Sequence, residues 1–183
     1  MKKIALALLC GIALSAAGPL RRAPGFCLID TSGKWQDLGD YRGKIVLVEF
    51  MQTGCVHCIG FSSVLNNLKM KYGDKVAILS VANPPDTPQT MMQFAAGHKL
   101  AYPLLFDQGQ VAVSYVRSPS IDLPAVYLID PGGMIRNSWQ NGLLTKDIFE
   151  GTGLEREVDR LLASTSAAAP AKAAPAKAAP AKK

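Results

Sequence analysis

Two closely spaced cysteines could carry redox chemistry. The segment Cys55-Val56-His57-Cys58 lies just after an apolar run at residues 45–50. A helix that begins at Cys55 would place this thiol at a helix N-terminus, where backbone N–H groups and the helix dipole stabilise an anion. A thiolate in that position is a good nucleophile and a good leaving group, which thiol–disulfide exchange requires. Cys58 lies one turn further along the helix and is expected to be more buried.

His57 lies between the two cysteines, and the motif has more than one interpretation. A charged imidazole would stabilise the Cys55 thiolate, favour the reduced pair and so make the pair a stronger oxidant. A single C-x-x-C is also compatible with half of a zinc site or with a structural disulfide. A zinc site would need further ligands, and His98 is the only other histidine of the chain. The pattern favours redox chemistry that uses neither a metal nor a cofactor.

Glu49 is the one charged residue in the apolar run and stands six residues before Cys55. Strand and loop of that length can bring its carboxyl group beneath the cysteine pair. Burial would raise the pKa of Glu49, and the carboxyl group could then exchange a proton with Cys58. A side chain that points outward at a sheet edge is the alternative interpretation. We favour the buried position. An unpaired buried charge is costly, so a carboxyl group at this place would need a functional reason.

Pro124 directly precedes a second apolar run, at residues 125–130. A trans proline could simply begin a strand there, since proline has no N–H to donate to a neighbouring strand. A cis proline is the other interpretation. It would bring the Leu123 backbone next to the cysteines, where it could pair with an extended substrate peptide. Val56, Leu123 and Pro124 would then form an apolar surface suited to an unfolded or extended polypeptide.

The elements around these residues alternate between strands and helices, as in an α/β fold. The apolar runs and turns predict strands at 26–30, 45–50, 76–81, 125–130 and 134–139, and helices at 55–72, 88–99, 111–116 and from 152 onward. Strand–helix–strand units favour parallel pairing, whereas the hairpin after Pro131 must be antiparallel. The sequence therefore predicts a central mixed β-sheet flanked by helices on both faces.

Charge is distributed unevenly along the 183 residues, which suffice for one domain with appended ends. The chain has 20 Lys and Arg against 14 Asp and Glu, a net charge of +6. All the acidic residues lie within 18–165, together with an equal number of basic ones. This body is therefore neutral and lacks the basic footprint of a nucleic-acid-binding domain.

Residues 1–17 have the pattern of a signal peptide. Lys2 and Lys3 precede an apolar stretch at 4–14, and Ser15-Ala16-Ala17 offers small residues for cleavage. An uncleaved membrane anchor is less favoured because the stretch is shorter than the roughly 20 residues of a membrane-spanning helix. A lipid anchor on Cys10 is less favoured because Leu9, not a small residue, precedes it. We predict export to the periplasm or another extracytoplasmic compartment, with cleavage near Ala17.

Residues 166–183 form a different kind of segment. They repeat Ala-Ala-Pro-Ala-Lys and carry no large apolar side chain. Proline every five residues blocks a continuous helix, so a disordered, extended and cationic tail is predicted. Such a tail could make weak contact with an anionic envelope surface.

The segments that contain these residues resemble the thioredoxin superfamily. The active-site strand, loop and helix are matched by VEFMQTGCVHC, and the cis-proline loop with its strand by LPAVYLID. Exported TlpA-type thioredoxins and the redoxin group are matched by LIDPGGMIRNSWQNG and by VANPPDTPQTMMQFAAGHKLAYPLLFD. The resemblance covers roughly residues 22–163. It implies an α/β thioredoxin-like fold with a strand–helix insertion after the helix that carries the cysteines.

The resemblance also implies roles for individual residues. Cys55 would be the attacking cysteine and Cys58 the resolving one. Pro124 would be the cis proline, and Glu49 would match the buried carboxylate of thioredoxins. The sequence departs from the family pattern at Gly54, where tryptophan is usual before the first cysteine.

The function implied is a thiol-disulfide oxidoreductase of the cell envelope, acting on exported proteins and coupled to a membrane or periplasmic redox partner. His57 favours oxidation or isomerisation, while the TlpA-like body favours reduction, for instance in cytochrome c maturation. A redoxin-type peroxidase is an alternative, although its threonine is expected three residues before the cysteine and Thr53 stands two before Cys55. A non-catalytic module that binds copper or thiols is another alternative.

Three further residues are expected to pack in the interior. Cys27 alternates with apolar neighbours in a predicted strand and is expected to be a small buried core residue. A third redox thiol or an intermolecular link is the alternative for Cys27. Trp35 and Trp139 are expected to serve packing.

Overall fold

The computed structural model describes residues 21–168. The predicted signal peptide at 1–17 and residues 169–183 of the predicted tail lie outside the described residues. None of the helices in this range is long and apolar enough to span a bilayer. The main elements are β1 (Arg21–Arg22), β2 (Cys27–Ile29), β3 (Trp35–Asp37), β4 (Ile45–Met51), α1 (Val56–Tyr72), β5 (Val76–Ala82), α2 (Pro88–Gly97), β6 (Leu104–Phe106), α3 (Gln110–Val116), β7 (Ala125–Ile129), β8 (Met134–Gln140), α4 (Lys146–Phe149) and α5 (Thr152–Ala168).

A six-stranded mixed sheet forms the centre of the fold, as predicted. Its strand order is β1-β8-β7-β4-β5-β6. β4, β5 and β6 are parallel, because the helices α1 and α2 carry the chain back between them. β7 pairs antiparallel with both β4 and β8, and the β7–β8 hairpin follows the predicted turn after Pro131.

The central strand β4 is buried along its whole length. Because side chains alternate along a strand, Val46, Val48 and Phe50 face one layer of the core, and α3 packs against this layer. Ile45 and Leu47 face the opposite layer, where α1 and α5 pack. A strand covered on both faces reads as a continuous apolar run, which is why its position was predictable.

α1 begins and ends where the sequence indicates. Cys55 is its N-cap residue, and Gly73 ends it with a φ of +56°, a conformation that favours glycine. The predicted stripe of core-facing side chains is buried: Phe61, Leu65, Leu68 and Tyr72. The cysteine motif therefore lies on the first turn of a helix that is fixed to the core of the domain.

Two predicted core residues are instead exposed. β2 and β3 pair only with each other, in a two-stranded sheet separate from the central one. Cys27 is exposed on β2, so the prediction of a buried core residue is wrong. Trp35 on β3 is 70% exposed, whereas Trp139 on β8 does pack against the core. The alternation of apolar residues had suggested a buried strand, but this hairpin has no neighbour covering both faces.

Candidate active site around the two cysteines

Cys55 lies where strand β4 passes into helix α1. Its sulfur accepts a hydrogen bond from the Cys58 backbone N–H at 3.2 Å. As the N-cap residue, Cys55 directs its side chain at the free N–H groups of the first helical turn, which favour a negative charge on the sulfur. The side chain is half-buried and remains partly accessible. The structure thus gives Cys55 the position that a nucleophilic thiolate needs.

Cys58 has the opposite environment. Its side chain lies on the first turn of α1 and is completely buried among apolar residues. Burial raises the pKa of the Cys58 thiol well above its ordinary value, and its hydrogen bond with Cys55 raises it further. Cys58 is therefore held as a protonated thiol while Cys55 meets the solvent. The sequence led us to expect this greater burial of Cys58.

The Leu123–Pro124 segment lies against the cysteines. Its peptide bond is cis, as predicted. The Cys55 thiol donates to the Leu123 carbonyl oxygen across 3.8 Å, although the two residues are 68 positions apart in the chain. Pro124 is buried and Leu123 half-buried, which leaves one side of the segment open to solvent. A substrate backbone that reaches Cys55 would meet this segment.

Glu49 lies inside the domain, on the face of β4 that α1 covers. It is 1% exposed, and the Ser80 hydroxyl group donates to one oxygen of its carboxylate. Ser80 is the register partner of Glu49 on the neighbouring strand β5. The other carboxylate oxygen has no hydrogen-bond partner among the described residues. Burial raises the pKa of Glu49 to about 8, an effect that the Ser80 hydrogen bond partly offsets.

The buried carboxyl group is coupled to its neighbours. Burial is the main cause of the raised pKa values of Cys58 and of Tyr102. The negative charge of Glu49 raises both pKa values further. Tyr102 is itself buried, and its hydroxyl group donates to the Ser62 carbonyl oxygen at 3.5 Å. A carboxyl group that titrates near pH 8 beside a buried thiol can accept the proton that this thiol must lose before it attacks.

The loop before Cys55 is held by an aspartate that the sequence did not single out. The Asp86 carboxylate accepts from the Thr53 backbone N–H at 2.8 Å and also from the Thr53 hydroxyl group. Thr90, in the first turn of α2, donates to the same carboxylate at 3.2 Å. Asp86 therefore connects the loop of the cysteine motif to the start of α2.

His57 and Val56 both lie on the solvent side of α1. Val56 is 78% exposed. Within residues 21–168, the His57 side chain takes part in no hydrogen bond or ion pair, whereas the Cys58 N–H donates to the Cys55 sulfur. A role for His57 in setting the redox potential stays a prediction. In the same range, no three His, Cys, Asp or Glu side chains are grouped so as to hold a metal ion.

Comparisons with known proteins identify the family of the chain. Residues 19–138 match the model of the AhpC/TSA family. The chain belongs to this family. The thiol-disulfide oxidoreductase ResA of Geobacillus kaustophilus is 31% identical over 143 residues, which are 78% of this chain and 75% of that protein. The thioredoxin-like protein YneN of Bacillus subtilis is 28% identical over 144 residues, 78% of this chain and 77% of that protein.

Solved structures extend the comparison to the fold. A putative thiol:disulfide interchange protein DsbE from Chlorobium tepidum has a TM-score of 0.62 at 24% identity, covering 73% of this chain and 94% of its own. A putative thioredoxin from Neisseria meningitidis has a TM-score of 0.64 at 23% identity, covering 79% of this chain and 92% of its own. The thioredoxin-like fold is thereby confirmed. This AhpC/TSA family member is an enzyme of the thiol-disulfide oxidoreductase class.

Through its contact with Glu49, Ser80 is expected to influence the pH dependence of disulfide exchange in this family member. The Ser80 hydroxyl group stabilises the ionised Glu49 carboxylate, so Ser80→Ala is expected to raise the pKa of Glu49 above about 8. The inflection in the pH dependence of disulfide exchange should then move to higher pH. Ser62→Ala is the matched control, because Ser62 is also buried but donates to the Ile59 carbonyl group. An unchanged inflection in Ser80→Ala would contradict the prediction.

Asp86→Ala should loosen the loop that precedes Cys55. The substitution leaves the Thr53 N–H and hydroxyl group without their acceptor, and we expect a loss of about 1–3 kcal/mol in the free energy of unfolding. Denaturant unfolding measures this loss, and a double-mutant cycle with Thr53→Ala isolates the shared contact. Asp122→Ala is the control, because Asp122 is exposed and bonds through its backbone N–H. Equal midpoints for the two aspartate variants would be incompatible with the proposed contact.

Proposed function

We propose that this protein exchanges disulfides with exported proteins in the cell envelope, through Cys55 and Cys58. One observation carries the proposal. Cys55 accepts the Cys58 N–H at the start of α1 and lies 3.8 Å from the Leu123 carbonyl oxygen, with the Cys58 thiol fully buried behind it. One accessible sulfur backed by one protected sulfur is the arrangement that a two-step exchange requires.

In the reductive direction, the Cys55 thiolate attacks one sulfur of a substrate disulfide. A mixed disulfide forms, and the other substrate sulfur leaves as a thiolate that takes up a proton. Glu49, as carboxylate, accepts the proton of Cys58, and the new thiolate attacks the Cys55 sulfur. The Cys55–Cys58 disulfide forms and the second substrate thiol is released. Two electrons have then passed from the cysteine pair to the substrate, and a redox partner must return them.

Substrate binding is proposed to use the residues around Cys55. Leu123 can pair with an extended polypeptide backbone, with Pro124 fixing its position. Val56 presents an exposed apolar side chain beside the reactive sulfur. These contacts suit a protein whose cysteine lies in an extended or unfolded segment.

We propose reduction as the direction of catalysis. His57 is the feature that would make the pair oxidising, and its side chain is exposed without a hydrogen bond to Cys55. Among the described residues, no hydrogen bond or ion pair holds a charged imidazole against the Cys55 thiolate, which supports a reducing rather than an oxidising pair. The resemblance to TlpA-type proteins supports the same direction, with protein disulfides as substrates and a membrane or periplasmic donor of electrons.

Export of the protein is proposed from the pattern at residues 1–17. Recovery of the protein from the cell envelope with a new N-terminus at Gly18 would support this location. Recovery with Met1 retained in the cytoplasm would contradict it. The Lys-containing repeat at 168–182 is proposed to add weak contact with an anionic surface, which added salt should abolish.

The reduction potential of the Cys55–Cys58 pair tests both activity and direction. The protein is equilibrated in glutathione and dithiothreitol buffers, and the two thiols are counted after alkylation. In the mature protein beginning at Gly18, which lacks Cys10, Cys27→Ser leaves a single pair to count. A potential near or below about −270 mV is expected for a reductant, whereas about −120 to −200 mV would make the protein an oxidant or isomerase. A pair that never cycles between thiol and disulfide would refute the proposed function.

A further inference from the structure

Tyr102 lies in the layer between the central sheet and α1, the same layer that holds Glu49. Its side chain is 7% exposed and packs in the apolar cluster that α1 and α5 form with this face of the sheet. The residue belongs to the short segment between α2 and β6, where no periodic pattern in the sequence marks it. No step of the proposed exchange reaction uses this buried hydroxyl group.

Backbone contacts fix the position of Tyr102 from two sides. The Ser80 N–H on β5 donates to the carbonyl oxygen of Pro103, the next residue, at 3.1 Å. On the other side, the Asn66 side chain on α1 accepts from the Ala101 N–H at 2.8 Å. Because the residues directly before and after Tyr102 are held by α1 and β5, the ring has little freedom to move away from Ser80.

The Tyr102 hydroxyl group has two acceptors within hydrogen-bonding reach. One is the Ser62 carbonyl oxygen on α1, at 3.5 Å, which is a long and therefore weak hydrogen bond. The other is the Ser80 hydroxyl oxygen on β5. Burial, followed by the negative charge of Glu49, raises the pKa of Tyr102, so the hydroxyl group keeps its proton and can act as a donor.

The single proton of the Ser80 hydroxyl group determines the direction of this second contact. Ser80 donates that proton to the Glu49 carboxylate, so towards Tyr102 it can act only as an acceptor. A donor to the Ser80 oxygen polarises the hydroxyl group and strengthens its hydrogen bond to the carboxylate. Tyr102, Ser80 and Glu49 can therefore form a chain of hydrogen bonds that ends on one carboxylate oxygen.

Hydrogen bonding is the main means by which this layer can favour the ionised form of Glu49. The register partners of Glu49 are Ser80 on β5 and Val126 on β7, and neither carries a charge. The titratable group that faces Glu49 from α1 is Cys58, whose pKa is raised mainly by burial. Within residues 21–168, Glu49 forms no ion pair with a cation, and the Ser80 hydrogen bond alone opposes the effect of burial on its pKa.

We propose that Tyr102 is a positioning residue for the base of the exchange reaction. Its hydroxyl group donates to Ser80 while Glu49 is ionised. Once Glu49 has taken up the proton of Cys58, the hydroxyl group returns to the Ser62 carbonyl oxygen. The first arrangement stabilises the carboxylate that must accept the proton, so a larger fraction of the protein is ready for the resolving step. This inference rests on the proposed function and deepens it.

Tyr102→Phe tests the proposal, because it removes the hydroxyl group and keeps the ring that packs in the core. Single-turnover release of a mixed disulfide is followed across pH 6–10. The inflection should move to higher pH by about 0.5–1 pH unit, the effect of weakening one hydrogen bond to the carboxylate. Release at pH 7 should be about three- to tenfold slower, with an unchanged rate at pH 10. A merely structural role would lower the rate at pH 10 and leave the inflection in place.

Two comparisons test the route through Ser80. In a Ser80→Ala background, Tyr102→Phe should cause no further shift, because the chain of hydrogen bonds is already broken. Tyr115→Phe is the matched control, since Tyr115 is also buried and donates to the Pro24 carbonyl oxygen at 3.0 Å, but lies in the opposite layer of the core. Its inflection should equal that of the parent protein.

Three results would overturn the proposal. The first is an unchanged inflection in Tyr102→Phe. The second is an equal shift in Tyr115→Phe, which would make the effect a general one. The third is a full shift by Tyr102→Phe in the Ser80→Ala background, which would show that the hydroxyl group does not act through Ser80.

The ionisation of Glu49 can also be followed without turnover, which separates this inference from the proposed function. Carbon-13 NMR of the carboxyl group follows its titration near pH 8, and Glu49→Gln assigns the signal. Disulfide exchange that continues in Tyr102→Phe with an unmoved titration would reject the inference and keep the oxidoreductase. A titration that moves to higher pH, in a protein that exchanges no disulfide, would reject the proposed function and keep the contact between Tyr102 and the buried carboxyl group.

Discussion

Cys55→Ser is expected to abolish disulfide exchange, whereas Cys58→Ser should stop the reaction halfway. Without the Cys55 sulfur, no accessible nucleophile remains at the start of α1, and the rate should fall by more than about a thousandfold. Without Cys58, the first attack still occurs but no thiol can release the substrate. The Cys58→Ser variant should therefore accumulate a mixed disulfide at Cys55, visible on a non-reducing gel.

Cys27→Ser is the control for both variants. Cys27 is exposed on the separate β2–β3 hairpin, so its loss should leave the exchange rate unchanged. Substrate trapped at Cys27 instead of Cys55 would contradict the assignment of the attacking cysteine. Full activity in Cys55→Ser would contradict it as well.

Glu49→Gln is expected to slow the resolving step by about 100-fold, the usual contribution of a positioned proton acceptor. The pKa of Glu49 is about 8, so the carboxylate that can accept the Cys58 proton becomes more abundant as the pH rises towards that value. The rate of resolution in the parent protein should rise with pH and level off above about 8. Glutamine cannot ionise, and this inflection should be absent from the variant. Single-turnover release of a mixed disulfide, followed across pH 6–10, measures both effects.

The pH dependence of the free energy of unfolding provides an independent test of the raised pKa of Glu49. Its pKa rises from the ordinary 4.5 to about 8 on folding, so the folded protein holds one more proton than the unfolded chain between these values. The free energy of unfolding should therefore fall as the pH rises through this window, by at most about 1.4 kcal/mol per pH unit. In Glu49→Gln this part of the dependence should vanish, while the fold persists at pH 8. A slow variant with an unchanged stability profile would mean that Glu49 does not titrate as a buried group.

The sequence predicted the parts of the site that depend on local patterns. A continuously apolar strand has to be covered on both faces, and a C-x-x-C just after it has to lie at the start of a helix. Cys55 and Glu49 were found in this way, and the buried position of Cys58 follows from its place one turn into α1. Leu123–Pro124 was found because a proline before a buried strand is unusual. The resemblance to thioredoxins supported the same fold and the same residues.

Short elements and isolated hairpins were harder to predict. β1, β3, β6 and α4 are two to four residues long, too short to show a period in the sequence. Cys27 was misplaced because alternation of apolar residues indicates a strand but not what covers it. The β2–β3 hairpin is separate from the central sheet, so the side chain of Cys27 is exposed to solvent although the sequence alternates as in a buried strand.

What the sequence determined by itself is the chemistry that is available: two thiols, a carboxyl group and a proline, each in a segment whose local structure is fixed by its own residues. What only the tertiary structure decided is which distant groups meet them. Ser80 was detectable in principle, as the one hydroxyl group in an apolar strand, but its contact with Glu49 depends on the register of two parallel strands. Asp86 left no local signal, because its loop and the loop before Cys55 lie far apart in the chain and come together only when the sheet and its helices pack.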